Sequence, residues 1–442
     1  MTSNAQSQTI TFSIDRLLPG TTLAGPIYED NDGAVLLLQA GVCVSTEQID
    51  QLRKRGIEQI RIEKRFADSL FAPRRTNLRG SHHRRTAGLQ TEKRVPPISR
   101  PAPTVTWSPE VSRSVERLRE AQSEKLTHVY SLLDNQSPLN PEVLDDISEE
   151  CIEQLSVDMD VFVKSSIEPQ MSEASAEHCV RVAQLAVAVG AVAGHTREEL
   201  RWLAMGCLVS RCRETDAAKE LIEEPRALTA IEFAEIKRTP SRVLDMLSKI
   251  DFPWVARTVA YQIRERWNGS GYPRGKSGFQ IHALARIAGV CDAYVSLSSP
   301  RPHRPAYSLY ESVKQILNDA RRGLFDADTI RFFLRTISLY PIGTYVRLSN
   351  NQIGRVVRTN LQSYDRPSVE IVGESPATTI ALVDTPDLTI VDVIDAEQAA
   401  EEIFVGTSGQ LNSDDINFLL TVPQPGETAP KAGEAVGGPG AP

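Results

Sequence analysis

The chain has 442 residues, 41% hydrophobic and 24% charged, with a net charge of −8. That length accommodates two or three domains, and the acidic balance excludes a global electrostatic case for nucleic-acid binding. No run of roughly 20 apolar residues occurs, so no transmembrane helix is expected. The opening MTSNAQSQTITF lacks the basic and then apolar pattern of a secretory signal. The expectation is a cytoplasmic protein with no membrane association. Six cysteines (Cys43, Cys151, Cys179, Cys207, Cys212 and Cys291) are scattered without CxxC pairs, mostly in apolar helical contexts, and read as buried reduced thiols.

Residues 10–64 read as a small α/β domain. Alternation predicts a strand over 10–14, and Asp30–Gly33 is a hairpin turn before a strand over 34–38. Ser45 and Gln48 fit a capping box for a short helix ending near Arg55, with Gly56 as its stop. A closing strand follows over 57–62. No catalytic residue type concentrates here, so the unit reads as a docking or dimerisation module.

Residues 65–107 form a basic linker. Arg74, Arg75, Arg79, Arg84, Arg85, Lys93, Arg94 and Arg100 have one acid, Glu92, between them, and prolines cluster at 96, 97, 101 and 103. That composition predicts a disordered, extended tether. The basic run suits contact with nucleic acid or an acidic partner, but the missing aromatics favour a solvated linker.

A helical hairpin is expected over 108–172. Ser108 and Pro109 open its first helix, which runs to about Leu133 with Val111, Val115, Leu118, Leu126 and Val129 at helical spacing. The second runs from Pro141 to about Ser166. The core domain is expected over 173–339, with helices at 175–193, 197–211, 229–247, 253–266, 282–297, 308–321 and 326–338. Short strands near 340–349, 354–358 and 369–372 predict a small β extension over 340–400. Residues 423–442, rich in Pro, Gly and Ala, are expected to be a disordered tail.

The most specific stretch is 265–305, ERWNGSGYPRGKSGFQIHALARIAGVCDAYVSLSSPRPHRP. Gly269, Gly271 and Pro273 force a rigid loop between two helices. Asp292 falls on or beside the apolar stripe of the second helix, where a carboxylate needs a metal, a cation or several donors. The series Glu265-Arg266-Trp267, Gly269-Ser270-Gly271-Tyr272-Pro273, Ala285-Arg286-Ile287, Asp292 and Arg301-Pro302-x-Arg304-Pro305 resembles the end of an HD-GYP domain. That family comprises metal-dependent phosphodiesterases that hydrolyse cyclic di-GMP. Residues 10–64 are similar to the small domain often found ahead of HD-GYP domains, and LYPIGTYVRLSNNQIGRVVRTN resembles the β extension that follows many of them. The implied fold is mainly α: an HD-type helical domain with a small α/β N-terminal domain and a small β C-terminal extension.

Hydrolysis of a phosphodiester by this family implies a two- or three-metal cluster that acidifies water and clamps phosphate oxygens. The resemblance places its first-helix His at His178 and its final Asp at Asp292. The adjacent His-Asp pair falls on Ser210-Arg211, and the following Lys on Glu214. The His before Pro falls on Thr239, and the paired histidines on Ile263 and Arg264. His178 and Asp292 are thus the residual ligand positions, and His178 also suits a buried histidine bonded to a neighbour. The other histidines (His82, His83, His128, His195, His282 and His303) lie where they restore nothing. Two ligands do not hold a bimetal cluster, since one structural zinc usually takes about four. No catalytic residue and no cofactor is therefore expected; the alternative is a residual phosphodiesterase with Fe, Mn or Zn.

Arg211 stands where a metal-binding Asp would be. It either pairs bidentately with Asp292 in the vacated metal position, with Arg264 adding a second cation, or points to solvent. A cationic pocket of Arg211, Arg213, Arg238 and Arg264 would bind cyclic di-GMP or another phosphate ligand without cutting it. Trp267, Gly271, Tyr272 and Pro273 form the loop that the family uses towards GGDEF-type signalling proteins; the same residues also suit a structural turn. The expectation is a degenerate HD-GYP-like protein of bacterial signalling that binds nucleotide or protein, or serves as a scaffold.

Overall fold

The computed structural model describes parts of segment 9–63, residues 95, 96, 98, 99 and 102, and residues 108–400 except 136, 169–174, 223, 225, 227, 301–304 and 375–376. The tail at 423–442, Arg301-Pro302 and Arg304 of the motif, Cys43 and nearly all of the basic linker lie outside the described residues.

Strands β1 (Thr9–Ser13), β2 (Ile27–Glu29) and β3 (Leu36–Leu38), helix α1 (Thr46–Lys54) and strand β4 (Gln59–Glu63) make the N-terminal domain. Its antiparallel sheet runs in the order β1-β4-β2-β3, which leaves β3 at one edge. Ile14, Leu23, Ile27, Val44, Ile49, Leu52, Ile57 and Ile60 form a small separate core.

The helical domain opens with α2 (Pro109–Asp134), which buries Val115, Arg119, Gln122, Leu126, Val129 and Leu133 at three- and four-residue steps. Then come α3 (Pro141–Gln154) and α4 (Met159–Ile167). The single helix expected over 141–166 is thus broken. Asp158 caps α4 by accepting from Asp160 N and Val161 N, which ends the run before it. Ser99 enters that break: its N–H donates to Leu155 O at 2.8 Å, and its carbonyl accepts from Met159 N at 2.9 Å. Val95 and Ile98 pack on the same core, so the described end of the linker is anchored rather than free.

Helix α5 (Ser175–Val192) is buried on nearly every side from Ala176 to Gly190, which makes it the central core helix. Around it lie α6 (Arg197–Leu208), α7 (Asp216–Ile222), α8 (Ala230–Lys237), α9 (Thr239–Leu247), α10 (Trp254–Gln262), α11 (Ala283–Leu297), α12 (Leu309–Arg321) and α13 (Ala327–Ile337). Helix α7 has no counterpart in the sequence reading. The helix expected over 229–247 is two, because Pro240 brings no N–H and breaks the ladder at Arg238–Thr239. The helices expected to reach 211 and 266 stop at Leu208 and Gln262, and this frees the two turns that carry the site. Gly206 lets α6 and α10 close up: a Cβ there would lie 2.6 Å from that of Val259.

The C-terminal sheet has strands β5 (Tyr345–Leu348), β6 (Ile353–Arg358), β7 (Ser368–Ile371), β8 (Thr379–Ala381) and β9 (Ile390–Ile394), ordered β8-β7-β6-β5-β9. The last two were not foreseen. Arg358 Nη1 lies 2.7 Å from both oxygens of Asp158, and Thr359 Oγ1 donates to Asp160 Oδ1 at 2.7 Å. These contacts fasten the sheet to the break before α4.

Candidate functional site

Three helix ends converge on the middle of a fourth helix. The first turn of α5 brings His178. The turn after α6 brings Ser210, Arg211 and Glu214. The C-terminal end of α10 brings Ile263 and Arg264, and the middle of α11 brings Asp292. His178 Nε2 lies 2.9 Å from Asp292 Oδ1. Arg264 Nε lies 3.0 Å from Asp292 Oδ2, and Arg211 Nη2 3.7 Å from Oδ1. Arg211 Nε stands 3.9 Å from Glu214 Oε1, while Ser175 Oγ donates to Glu214 Oε2 at 2.8 Å.

Arg211 therefore faces Asp292 but does not clasp it bidentately; the nearer cation is Arg264. Two arginines and two carboxylates cancel in formal charge. Glu214 completes that balance, which the sequence reading missed. Its signal was an acid at the position where the family carries a lysine, three residues after Arg211. His178, Arg211, Glu214 and Asp292 are all buried.

Burial alone would raise the Asp292 carboxyl. Arg264, His178 and Arg211 outweigh it and hold the group well below the usual carboxylate range. Burial, with Arg211 beside it, pushes His178 down to about 3, even against the pull of Asp292. His178 is thus a neutral imidazole donating from Nε2 to Asp292. Its Nδ1, Arg211 Nε and Thr239 Oγ1 are buried without a hydrogen-bond partner among the described residues.

The other two arginine candidates stand apart. Arg213 is exposed and reaches the Leu133 carbonyl at 3.4 Å. Arg238 is exposed and pairs with Glu235 at 3.0 Å. Neither joins the Asp292 cluster.

The loop over 265–281 is built around buried Glu265, whose carboxylate accepts from Arg274 N at 2.8 Å and Lys276 N at 2.9 Å. Gly271 passes so close to the chain before it that a Cβ would sit 2.3 Å from Arg266 N. Tyr272 N donates to Arg264 O at 3.1 Å, and Arg264 Nη1 to the Tyr272 hydroxyl at 3.2 Å. Tyr272 also meets Phe233 edge-on, with ring centroids 5.9 Å apart. Trp267 packs edge-on against Phe279 at 5.1 Å, and its main-chain N–H donates to Leu324 O at 2.8 Å. Trp267, Gly271, Tyr272 and Pro273 are all half-buried. The loop thus touches the Asp292 cluster through Arg264 on its inner side.

A metal cluster of the kind the family implies needs several His and Asp donors facing a common point. Here Asp292 has a guanidinium on one oxygen and an imidazole with a second guanidinium on the other. Among the described residues no three His, Cys, Asp or Glu side chains group to hold a metal ion. A guanidinium repels the cation whose ligand it displaces, so the residues present do not fit that cluster.

The family model described as "HD domain" matches residues 166–329. The chain is 31% identical to the cyclic di-GMP phosphodiesterase PA4108 of Pseudomonas aeruginosa, over 34% of this chain and 36% of that one. It is 30% identical to the cyclic di-GMP phosphodiesterase response regulator RpfG of Xanthomonas campestris, over 35% of this chain and 41% of that one. The chain thus spans well under half the length of these two relatives. Among solved structures, Bd1817, an HDG"Y"P protein from Bdellovibrio bacteriovorus, aligns with a TM-score of 0.42 at 14% identity, covering 74% of this chain and 98% of its own. Among the described residues no helix is long and apolar enough to cross a membrane. Residues 166–329 thus match the HD-domain family model, and over about a third of its length the chain is similar to bacterial cyclic di-GMP phosphodiesterases.

Proposed function

We propose that the protein is a non-hydrolytic HD-GYP protein of cyclic-dinucleotide signalling that acts by binding. The observation that carries this reading is the state of Asp292. Both its oxygens are engaged by His178, Arg264 and Arg211, so the carboxylate left from the metal set is already neutralised by protein cations. Hydrolysis would need that carboxylate free for metal, and the Ser210, Thr239 and Ile263 positions supply no strong ligand. The relatives' named activity, cyclic di-GMP phosphodiesterase, is the alternative. The rigid 265–281 loop supports a protein-binding role, with GGDEF-type signalling proteins as the partner class that the family resemblance suggests.

A second reading, cyclic-dinucleotide binding without cleavage, is favoured by Arg264, whose side chain keeps 20% of its surface exposed beside buried Arg211. Metal analysis of the purified full chain, with a cyclic di-GMP hydrolysis assay in added manganese, tests the first reading. We expect less than one metal per chain and no linear product. Two or more equivalents with turnover would overturn it. Titration calorimetry with cyclic di-GMP decides the second, and an absence of heat at high micromolar ligand ends it.

A further inference from the structure

We infer that the chain's own N-terminal domain is the docking partner of the 277–280 turn, with Phe279 as the anchor. Gly278–Gln280 is a single 3-10 turn, closed by a Ser277–Gln280 capping box and pinned to Asn268 by a β-bridge. Phe279 projects from it with 63% of its surface exposed. It is nevertheless held in place: Trp267 packs against its ring, and the Arg286 guanidinium lies 5.4 Å from its centre. Arg286 is itself fixed by Asp326 at 2.9 Å. A large aromatic side chain that is exposed and rigid has lost its conformational freedom in advance, which is how binding anchors are built.

The surface facing it belongs to the N-terminal domain. Across a cleft of about 540 Å³ from Phe279 stand Leu37, Leu38, Val42 and Leu52. Leu37 and Leu38 lie on β3, the edge strand of that sheet. A leucine-rich edge strand invites pairing with other chains, and natural proteins cover such edges. Gln48, Gln51, Arg55, Ser277 and Gln280 also line the cleft, so apolar and polar side chains meet there as they do in protein–protein seams. Both faces belong to one chain, so their meeting is intramolecular. Closure of the cleft buries Phe279 against the leucine edge and withdraws this face of the 265–281 loop from any other protein. The inference does not depend on whether the Asp292 site is catalytic.

The test places p-benzoylphenylalanine at Phe279 in the full chain, mixes heavy-isotope and light protein, irradiates, and maps adducts by mass spectrometry. Adducts within one chain on residues 36–55 are expected. Adducts on those residues that join two chains would assign the seam to a second copy, and no adduct there would leave no seam; either result overturns the inference. A second probe, p-azidophenylalanine at exposed Gln280, guards against a local effect at Phe279 and must give the same intrachain map. In parallel, Phe279→Asp should speed hydrogen exchange of α1 by at least about threefold, as loss of a covering contact raises local opening. Unchanged α1 exchange in a folded variant counts against docking.

Discussion

Arg264 Nε lies 3.0 Å from Asp292 Oδ2 while its Nη1 donates to the Tyr272 hydroxyl at 3.2 Å. One guanidinium thus joins the buried carboxylate to the loop. Replacing it with an apolar chain of similar length, Arg264→Met, leaves Asp292 with His178 and the more distant Arg211. Removing one partner of a buried pair costs about 3–5 kcal/mol; with Arg211 still near, a loss of about 2–4 kcal/mol is expected. Chemical denaturation of the variant measures it. The double variant Arg264→Met/Asp292→Asn should lose less than the sum of the two single changes. An unchanged midpoint in Arg264→Met would show that the pair contributes nothing.

The fold and the pairing of Arg211 and Arg264 around Asp292 were legible because they rest on identity and order along the chain. Asp292 on an apolar stripe needed a metal, a cation or several donors, and the arginines stood at positions that the family resemblance gives to metal ligands. What was not legible depends on distance. That Arg264 is the nearer partner follows from α10 stopping at Gln262, and helix ends are the weakest part of a periodicity argument. Arg213 and Arg238 share the charge of Arg211 but fall on exposed faces, which charge alone does not reveal. The break before α4 is capped locally by Asp158, but the partners that hold it, Ser99 and Arg358, are remote in sequence.

Gly271 is required by space. A Cβ there would meet Arg266 N at 2.3 Å and the Glu265 main chain at 2.5 Å, and backbone atoms do not yield as side chains do. Gly271→Ala should therefore force the loop open and release the Glu265 contacts to Arg274 N and Lys276 N. Limited proteolysis reads this directly. Cleavage at Arg274 or Lys276 should be at least about tenfold faster than in the native chain, since it tracks the open fraction and each ~1.4 kcal/mol is tenfold. A variant as resistant as the native protein would show that the loop tolerates the methyl group.

Arg358 is 2% exposed and holds Asp158 by two 2.7 Å contacts, with Asp160 3.7 Å away. Asp158 is also the cap of α4, so one carboxylate serves both the helix start and the β extension. Arg358→Met should cost about 3–5 kcal/mol by leaving two buried carboxylates underpaired. The loss should be local: hydrogen exchange should rise in β6 and at the start of α4, while α11 stays protected. Uniform change across the helical domain would mean that the sheet and helices unfold as one unit.

His282 caps α11 through Nδ1, which accepts from Leu284 N at 3.2 Å, so the imidazole must be neutral there. Burial, with His195 and Arg286 nearby, pushes it down to about 4. The unfolded chain takes up this proton near pH 6.5. Between those values the unfolded state binds more protons, so stability is full above about pH 6.5 and is lost as pH falls towards 4. Because the ring is partly exposed, the loss is on the order of 1–2 kcal/mol. His282→Asn keeps a capping acceptor and removes the titration. Denaturation midpoints between pH 7 and pH 4.5 should therefore fall less steeply in the variant than in the native chain. Tryptophan fluorescence is a suitable probe, because the Trp254 ring centre lies 6.0 Å from that of His282. Parallel pH profiles would remove His282 as a source of acid sensitivity.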